Sequence, residues 1–275
     1  AEEIHPLQVE KSTLQLKIKG EDVSKTDALL KKLNPPASPG RVDTFKGGTS
    51  EAKKHFKRWL ENSYSNYDDD RNQPHLEHVS HMSPYLHFGQ ISPLWLYDQM
   101  RSKRGKNKES YVEEFVVRRE LSINFVWYNN DYDSLKCLPE WAQETLEKHK
   151  KDEREKVYSK EELENAETDD PYWNQAMKTM KERGYLHNHM RMYWGKQILI
   201  YTNTPQYAHK VALELNNKYF LDGRDPNSFT NIAWLFGKHD RGWTEREVFG
   251  KVRTMTKSGL ERKIDTEAYL EKYDF

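Results

Sequence analysis

The first chemically informative residues are two serines beside a predicted helix start. Ser80 and Ser83 are three residues apart, and Pro84 follows Ser83 directly. Proline suits the first turn of a helix, where the leading N–H groups have no internal partners. A diphosphate can therefore be held there by backbone N–H groups and serine hydroxyls, without a glycine-rich loop. Two ordinary capped helices in series explain the same residues, and the pattern alone favours that simpler interpretation.

Redox-capable aromatic rings form a second group. Trp194 and Tyr201 are seven residues apart, which on a helix puts them on one face and about 10.5 Å apart along the axis. Trp173 lies at the start of the preceding predicted helix. This arrangement suits electron hopping, although a stripe of buried core aromatics has the same spacing.

A polar turn forms the third group. It runs from Asn216 through Asp222 to Asn227 and joins two predicted helices. Buried amides and charges need hydrogen-bond partners, and a polar heterocycle would supply them.

The histidines do not indicate a metal site. His78, His81 and His87 have no acidic or thiol ligand nearby at a familiar spacing. His187 and His189 are two residues apart, so on a helix they point to different faces. We expect the latter two to be polar wall residues, and we expect no bound metal.

The elements that position these residues are predicted to be helices. A capping side chain followed by proline at the first helical position marks a helix start. The pattern occurs five times, at Ser83-Pro84, Ser92-Pro93, Asp170-Pro171, Thr204-Pro205 and Asp225-Pro226. Gly184 is expected to end the helix that begins after Asp170. A further helix is predicted from Tyr111 to Tyr128, with Phe115, Leu121 and Phe125 as its apolar residues. The predicted fold class is all-α.

Two regions differ in organisation. Residues 1–46 carry little periodicity and include a proline-rich run from Asn34 to Gly40, so we interpret them as a linker or lead-in segment. Residues 47–275 carry the helix signals and are predicted to form the functional domain.

Composition excludes several classes of protein. The 275 residues are 35% hydrophobic with a mean hydropathy of −1.05, and no run approaches the ~20 apolar residues of a membrane span. The single cysteine, Cys137, cannot form an internal disulfide or hold an iron–sulfur cluster. The start of the chain has no signal-like segment, so we expect an intracellular protein of cytoplasm, nucleoid or nucleus.

Charge adds a local signal to an overall neutral chain. Lys plus Arg and Asp plus Glu each number 44, so attraction to nucleic acid must come from local asymmetry. Residues 101–119 hold seven basic and three acidic side chains, and residues 236–263 hold eight and four. These stretches are candidate phosphate-facing surfaces, although charge alone favours ordinary solvated helix faces.

Taken together, the segments resemble the photolyase/cryptochrome superfamily, and specifically the flavin-binding domain of class II cyclobutane pyrimidine dimer photolyases. The resemblance covers about residues 47–273. Its motifs are MSPYLHFGQIS at 82–92, RMYW at 191–194, LDGRDPN at 221–227 and HDRGW at 239–243. The resemblance implies an all-helical domain that holds a U-shaped FAD below a cavity open to DNA.

The resemblance also assigns cofactor contacts. Tyr67, Ser80, Met82 and Ser83 are similar in position to residues that contact the flavin diphosphate and ribose. Asn216 is similar to the residue beside the flavin N5. Arg191 and Asp222 are similar to a salt bridge near the ring, and buried charges of this kind are expected to pair.

Lesion and DNA contacts follow in the same way. Glu114, Met192 and Trp234 are similar to residues that line the pocket for the pyrimidine dimer, where a carboxyl binds base edges and Met and Trp provide packing. Arg241 and Arg253 match positions that contact DNA around the opened duplex.

Three departures from the family pattern stand out. The internal electron path resembles Trp194, then Trp173, then a third tryptophan, but Tyr201 occupies the third position. Arg118 stands where some members have a second lesion-stacking tryptophan. The N-terminal α/β antenna domain is missing, so no antenna chromophore is expected on this chain, and a separate antenna domain or subunit is a candidate partner.

The function implied by the resemblance is light-driven DNA repair by a carbon–carbon lyase. Reduced FAD (FADH⁻) would pass an electron to a flipped-out cyclobutane pyrimidine dimer in UV-damaged DNA. The alternatives are a cryptochrome-like light sensor without repair activity and a DNA-binding scaffold without flavin. The lesion-pocket residues favour repair, and Asn216 with the Arg191–Asp222 pair favours a flavin. We expect a monomer with no membrane partner.

Overall fold

The computed structural model describes residues 20–22, 24–36 and 38–273. The chain divides into two compact units, one up to Arg41 and one from Val42 onward. The first unit has one helix among its described residues, α1 (Thr26–Leu33). The helices of the second unit are α2 (Thr49–Asn62), α3 (Tyr67–Asp70), α4 (Ser83–His87), α5 (Pro93–Gln99), α6 (Lys106–Val112), α7 (Arg119–Tyr128), α8 (Glu140–Lys148), α9 (Lys160–Glu164), α10 (Pro171–Arg183), α11 (Asn188–Tyr201), α12 (Pro205–Tyr219), α13 (Pro226–Leu235), α14 (Lys257–Glu261) and α15 (Thr266–Lys272). Short 3₁₀ turns lie at Tyr64–Asn66 and Leu135–Cys137, and a π-helical segment spans Glu113–Arg118.

The predicted all-α class is confirmed, since the described residues contain helices and turns and no β-strand. Helix capping explains much of this architecture. The side chains of Ser92, Asp170, Thr204 and Asp225 each accept a hydrogen bond from a backbone N–H in the first turn of the helix that follows. Gly184 ends α10 in the left-handed conformation, at φ 63°, as a C-terminal glycine does.

The fifth predicted cap is wrong. Ser83 is the first residue of α4, and Met82 occupies the N-cap position without a side-chain cap. The reason lies in the backbone. Met82 already has helical dihedrals, φ −85° and ψ −13°, whereas a capping side chain reaches the first turn from an extended residue.

The main core is built from α10 to α13. Trp173, Tyr193 and Trp194 are fully buried in it. Helices α11 and α13 approach closely at Gly195, where an added Cβ would lie 2.3 Å from the Leu235 Cδ1. This core fixes the helices that carry most of the predicted site residues.

A second apolar cluster lies beside α2, α4, α5 and α6. Phe56, Trp59 and Tyr111 are among its buried rings, and Tyr111 stacks on Phe115 with ring centroids 5.5 Å apart. Helical structure runs without a break from α6 through the π-helical segment into α7, as predicted for this stretch. Leu121, predicted as an apolar residue of this helix, is 58% exposed, because the wider π-helical turn changes the face on which later residues lie.

The predicted lead-in segment, residues 1–46, lies partly outside the described residues, and its last residues fall in the unit that begins at Val42. Phe45 makes edge contacts with Tyr85 and Tyr185, at centroid distances of 6.2 and 6.1 Å. The Lys46 carbonyl accepts a hydrogen bond from the Tyr85 hydroxyl at 3.0 Å. Both residues therefore belong to the helical unit, because its aromatic cluster provides their packing.

Candidate functional site

Helix α11 presents one polar face to a cavity. His189, Met192 and Lys196 are separated by three and four residues, which places them one above another on the same side of the helix. All three line a cavity of about 370 Å³. A small-molecule pocket has a volume of this order.

The other walls of this cavity come from distant parts of the chain. Trp234 of α13 lies opposite α11, and Asn72, Arg253 and Lys263 complete the lining together with residues 254–255. The structure therefore brings together three residues that the sequence analysis assigned to lesion and DNA binding, Met192, Trp234 and Arg253.

Lys196 is an unusual lining residue for this cavity because its charged side chain is buried. It is 2% exposed, its ammonium group lies 5.0 Å from the centre of the Trp234 ring, and it donates a hydrogen bond to the Leu235 carbonyl. Burial lowers the pKa of Lys196 to about 7, an effect that nearby Arg253 reinforces and Asp240 opposes. Its charge state therefore changes near neutral pH.

A row of alternating cations and indole rings leads outward from the cavity. The Arg253 guanidinium lies 5.9 Å from the Trp234 ring and 5.0 Å from the Trp243 ring. Arg241 contacts Trp243 from its own side at 5.1 Å. Trp243 is 39% exposed. Arg241 and Arg253 are therefore linked through one ring, a geometry in which cation–π attraction holds both.

His189 and His187 have different roles. His189 lines the cavity, as expected for a polar wall residue, and burial lowers its pKa to about 4. His187 caps α11 by accepting a hydrogen bond from the His189 N–H at 3.2 Å. Burial also lowers the pKa of His187, to about 3, so both rings are uncharged at neutral pH.

The residues predicted to hold the flavin ring meet where α11, the end of α12 and the following turn converge. Arg191 donates to the Asp222 carboxylate at 3.0 Å, and its guanidinium carbon lies 3.8 Å from the Phe220 ring centre. Asn216 is 2% exposed and donates to the Ser228 hydroxyl and, at 3.2 Å, to the Asn217 side chain. The predicted Arg191–Asp222 ion pair is therefore present.

Unpartnered buried atoms test whether this region fits a polar cofactor. Three side-chain nitrogens here are buried without a hydrogen-bond partner: Arg191 Nε, His81 Nδ1 and Trp194 Nε1. Such atoms are rare because each one costs about 1–3 kcal/mol when left unsatisfied. They fit the flavin that the resemblance implies, because its ring and side chain offer many acceptors.

Glu114 lies on the π-helical segment rather than among the residues lining the cavity. Its carboxylate accepts a hydrogen bond from Arg71 at 3.0 Å and lies 3.6 Å from the Nε of Arg118. Arg71 precedes the cavity residue Asn72. The structure thus places Glu114 and Arg118 together, and connects them to the cavity through the neighbouring backbone.

Two of the four residues predicted for the flavin diphosphate and ribose belong to the second apolar cluster. Tyr67 and Met82 are buried there, and the Ser80 hydroxyl accepts a hydrogen bond from Tyr111 at 3.3 Å. Burial, aided by Glu114, raises the pKa of Tyr67 to about 12. Ser83 opens α4, a helix of five residues.

The three residues of the predicted electron path are contiguous. Trp173 and Trp194 are fully buried, and the Trp173 Nε1 donates to the Trp194 carbonyl at 2.9 Å. Tyr201 contacts Trp173 edge-on, with ring centroids 5.8 Å apart, and its hydroxyl donates to Asp170 at 3.0 Å.

Sequence reasoning missed Lys196, Lys263, Asn72 and Trp243 as candidate site residues. The spacing of His189, Met192 and Lys196 was a signal available for the lysine, because residues three and four apart share a helix face. Trp243 is the last residue of the HDRGW motif at 239–243. Nothing in the sequence relates Asn72 to Lys263.

Across the described chain, no group of three or more His, Cys, Asp or Glu side chains is placed to hold a metal ion. Likewise, the helices described here include none that is both long and apolar enough to cross a membrane.

Solved structures with the same architecture define the class of fold. A bacterial class III photolyase from Agrobacterium tumefaciens superposes with a TM-score of 0.64 over 95% of this chain and 49% of that one, at 15% identity. A cryptochrome from Synechocystis gives a TM-score of 0.61 over 78% and 45%, at 14% identity. The fold is that of the helical domain shared by photolyases and cryptochromes.

Sequence comparisons give the family. A deoxyribodipyrimidine photo-lyase of Methanothermobacter thermautotrophicus is 51% identical over 228 residues, which are 83% of this chain and 51% of that protein. Proteins of the same name from Oryza sativa and Potorous tridactylus are 45% and 42% identical, over 77% and 84% of this chain and 43% and 44% of those proteins. No family profile matches the chain. The chain belongs to the photolyase/cryptochrome superfamily, and it spans about half the length of the curated relatives it matches.

Proposed function

We propose that this chain is the flavin-binding catalytic part of a class II photolyase that repairs cyclobutane pyrimidine dimers in UV-damaged DNA. The observation that carries the proposal is the cavity in which Met192, Trp234 and Arg253 meet. An apolar wall of Met and Trp beside a cation suits a flipped-out pair of stacked pyrimidines with its negatively charged backbone. The name of the curated relatives, deoxyribodipyrimidine photo-lyase, supports a proposal of this class.

FAD, when bound in its reduced form, would supply the photoexcitable electron donor. The Arg191–Asp222 pair and the buried Asn216 amide would hold and orient its ring. Tyr67, Ser80, Met82 and Ser83 would contact its diphosphate and ribose, which leaves the cavity to the lesion.

The protein's own tasks in repair are binding, orientation and electrostatic stabilisation. Trp234 and Met192 would pack against the flipped bases, while Glu114 would bind a pyrimidine edge. Arg241 and Arg253 would contact the DNA around the gap left by flipping. Lesion selectivity would follow because a damaged pair is already poorly stacked and is therefore cheaper to flip.

The decisive experiment is repair of an oligonucleotide with one pyrimidine dimer by the flavin-loaded chain under blue or near-ultraviolet light. We expect repair in the light and none in the dark. Bound flavin without any light-dependent repair would favour the cryptochrome-like sensor. Absence of flavin after reconstitution with FAD would overturn the flavin site itself.

Two tryptophan variants locate the pocket. Trp234→Ala removes the indole that lines the cavity, and Trp127→Ala removes one that is 77% exposed on α7. We expect the first to weaken dimer affinity about tenfold or more, as loss of base stacking does, and the second to leave it unchanged. If Trp234→Ala and Trp127→Ala bind the dimer with equal affinity, the cavity is not the lesion site.

A further inference from the structure

The Asp170 carboxylate joins two tyrosines to the predicted electron path. It is 7% exposed and lies at the N-terminus of α10. One oxygen, Oδ1, accepts the backbone N–H groups of Tyr172 and Trp173 at 2.9 and 3.2 Å. The other, Oδ2, accepts the hydroxyls of Tyr201, at 3.0 Å, and Tyr193.

The helix cap fixes the direction of this carboxylate. Because Oδ1 is occupied by two N–H groups, Oδ2 is held toward the phenols without any rearrangement. The same two residues, Asp170 and Trp173, therefore place a base beside the Tyr201 hydroxyl and an aromatic ring 5.8 Å from the Tyr201 ring.

We propose that Asp170 is the proton acceptor that allows Tyr201 to act as the terminal electron donor. This inference rests on the proposed function. Trp173 becomes oxidised when bound flavin is photoreduced by an electron that passes through Trp194. In the step, one electron passes from Tyr201 to the Trp173 radical cation and restores neutral tryptophan. The O–H bond of Tyr201 breaks, its proton moves to Oδ2, and a neutral tyrosyl radical and a neutral carboxylic acid remain.

The Tyr201 hydroxyl already donates to the Asp170 carboxylate, so its proton has an acceptor within the protein. Burial and the Asp170 charge raise the pKa of the resting Tyr201 phenol, so it does not ionise before oxidation. Once it loses an electron the phenol becomes a strong acid, and the base at 3.0 Å accepts the proton directly. The step also replaces a tryptophan cation and a carboxylate anion by neutral groups, which a low-dielectric interior favours.

Tyr193 is the alternative candidate for the electron donor, and it therefore provides the control. Its hydroxyl donates to the same oxygen, and it is fully buried. The ring contact with Trp173 is made by Tyr201. We assign the electron donor to Tyr201 and regard Tyr193 as a residue that helps to hold the carboxylate in place.

Asp170→Asn tests the assignment with little structural disturbance, because asparagine caps helices as well as aspartate does. Transient absorption after flash excitation distinguishes tryptophan from tyrosyl radicals. We expect wild type to form the tyrosyl radical with a slowing in D₂O, and Asp170→Asn to form it about a hundredfold more slowly, the lower limit of what a positioned base contributes. Unchanged formation in Asp170→Asn would overturn the proposal.

Two further variants separate proton acceptance from structure. Tyr193→Phe should keep both the radical and its isotope effect, and loss of the radical there would make Tyr193 the donor and contradict the assignment. In a Tyr201→Trp background no proton needs to leave, so Asp170→Asn should no longer slow photoreduction. A slowing of the same size in that background would show a structural role for Asp170 and sink the proposal.

A flavin-free measurement keeps this inference independent of the proposed function. Azide radicals generated by pulse radiolysis oxidise tryptophan, and electron transfer from tyrosine to tryptophan can then be followed in the full chain without flavin. We expect Asp170→Asn to slow that transfer as well, whereas an equal rate in wild type and variant contradicts the proposal. If the chain does not repair dimers but Asp170→Asn still slows electron transfer from tyrosine to tryptophan, the repair function is refuted and the role of Asp170 is not.

Discussion

Lys196 is the residue whose burial has the clearest physical consequence. Its folded-state pKa of about 7 lies below the ordinary value for lysine, so the unfolded chain binds more protons between these two values. The free energy of unfolding therefore rises with pH across that window. The penalty for burying the charge is fully present below pH 7, and it decreases progressively as the pH rises from there to the ordinary lysine pKa.

We predict that Lys196→Met removes this pH dependence. Between pH 7 and 9 the wild-type free energy of unfolding should rise by an amount on the order of 2–3 kcal/mol, since each pH unit in the window contributes about 1.4 kcal/mol. Urea denaturation at a series of pH values measures it. Lys210→Met, at an exposed lysine of α12, is the control and should keep the wild-type slope. If Lys196→Met keeps the wild-type pH dependence of the free energy of unfolding, Lys196 is not its source.

Glu114 and Glu113 provide a matched pair of carboxyls one residue apart. Glu114→Gln should leave flavin binding intact and lower the quantum yield of dimer repair about tenfold, because a hydrogen bond to a charged group contributes about 1.5–3 kcal/mol. Glu113, which lies 3.5 Å from Arg118, should tolerate the same change without loss of yield. The idea fails if the two variants repair equally well.

At the scale of elements, the contact between α11 and α13 depends on Gly195. Alanine would gain about 1 kcal/mol of helix propensity, but its Cβ would overlap Leu235. Overpacking of this kind costs about 1–3 kcal/mol. Gly195→Ala should therefore destabilise the protein on balance, as measured by urea unfolding.

Combining Gly195→Ala with Leu235→Ala tests whether close packing is the cause of the destabilisation. In Leu235→Ala the overlapping side chain is gone, so Gly195→Ala should become neutral or stabilising. If the glycine replacement destabilises both backgrounds equally, close helix packing is not the cause.

The segment that carries Arg241 and Trp243 is anchored to α8 through His149. Its two ring nitrogens lie 2.5 Å from Asp152 and 2.9 Å from Glu245, and Asp152 also accepts the Val248 N–H at 2.9 Å. Hydrogen bonds to Glu245 and Asp152 raise the pKa of His149. The stabilisation is therefore complete below the ordinary histidine pKa of about 6.5 and is lost as pH rises through the raised value.

We predict that hydrogen exchange in residues 241–250, corrected for intrinsic rates, speeds up as pH rises above 6.5. His149→Gln should show the faster exchange at every pH. Exchange that is independent of pH in the wild type would mean that the charged histidine does not hold this segment.

At the scale of the whole molecule, the unit from Val42 onward has its own core. A chain that begins at Val42 keeps the contacts of Phe45 and Lys46 with Tyr85, so its free energy of unfolding should match that of the same unit in the full chain. A chain that begins at Gly47 loses them and should be destabilised by about 2–4 kcal/mol, as expected for loss of a packed phenylalanine and a hydrogen bond. Equal stability of the two shortened chains would contradict this boundary.

The sequence by itself determined the local structure and much of the chemistry. Proline after a capping residue predicts the starts of α5, α10, α12 and α13, because these signals act within one helical turn. The positions of Arg191, Asp222 and the aromatic residues of α10 and α11 were likewise recognisable, since each belongs to a motif that is contiguous in the chain.

Only the tertiary structure decided which of these residues meet. The cavity joins Asn72, α11, Trp234 and Lys263, and the contact of Asp170 with Tyr201 joins residues 31 positions apart. The burial of Lys196 and the exposure of Leu121 follow from how helices pack and from a π-helical turn. Neither is encoded in local spacing, because packing depends on the shapes of all the helices that share a core.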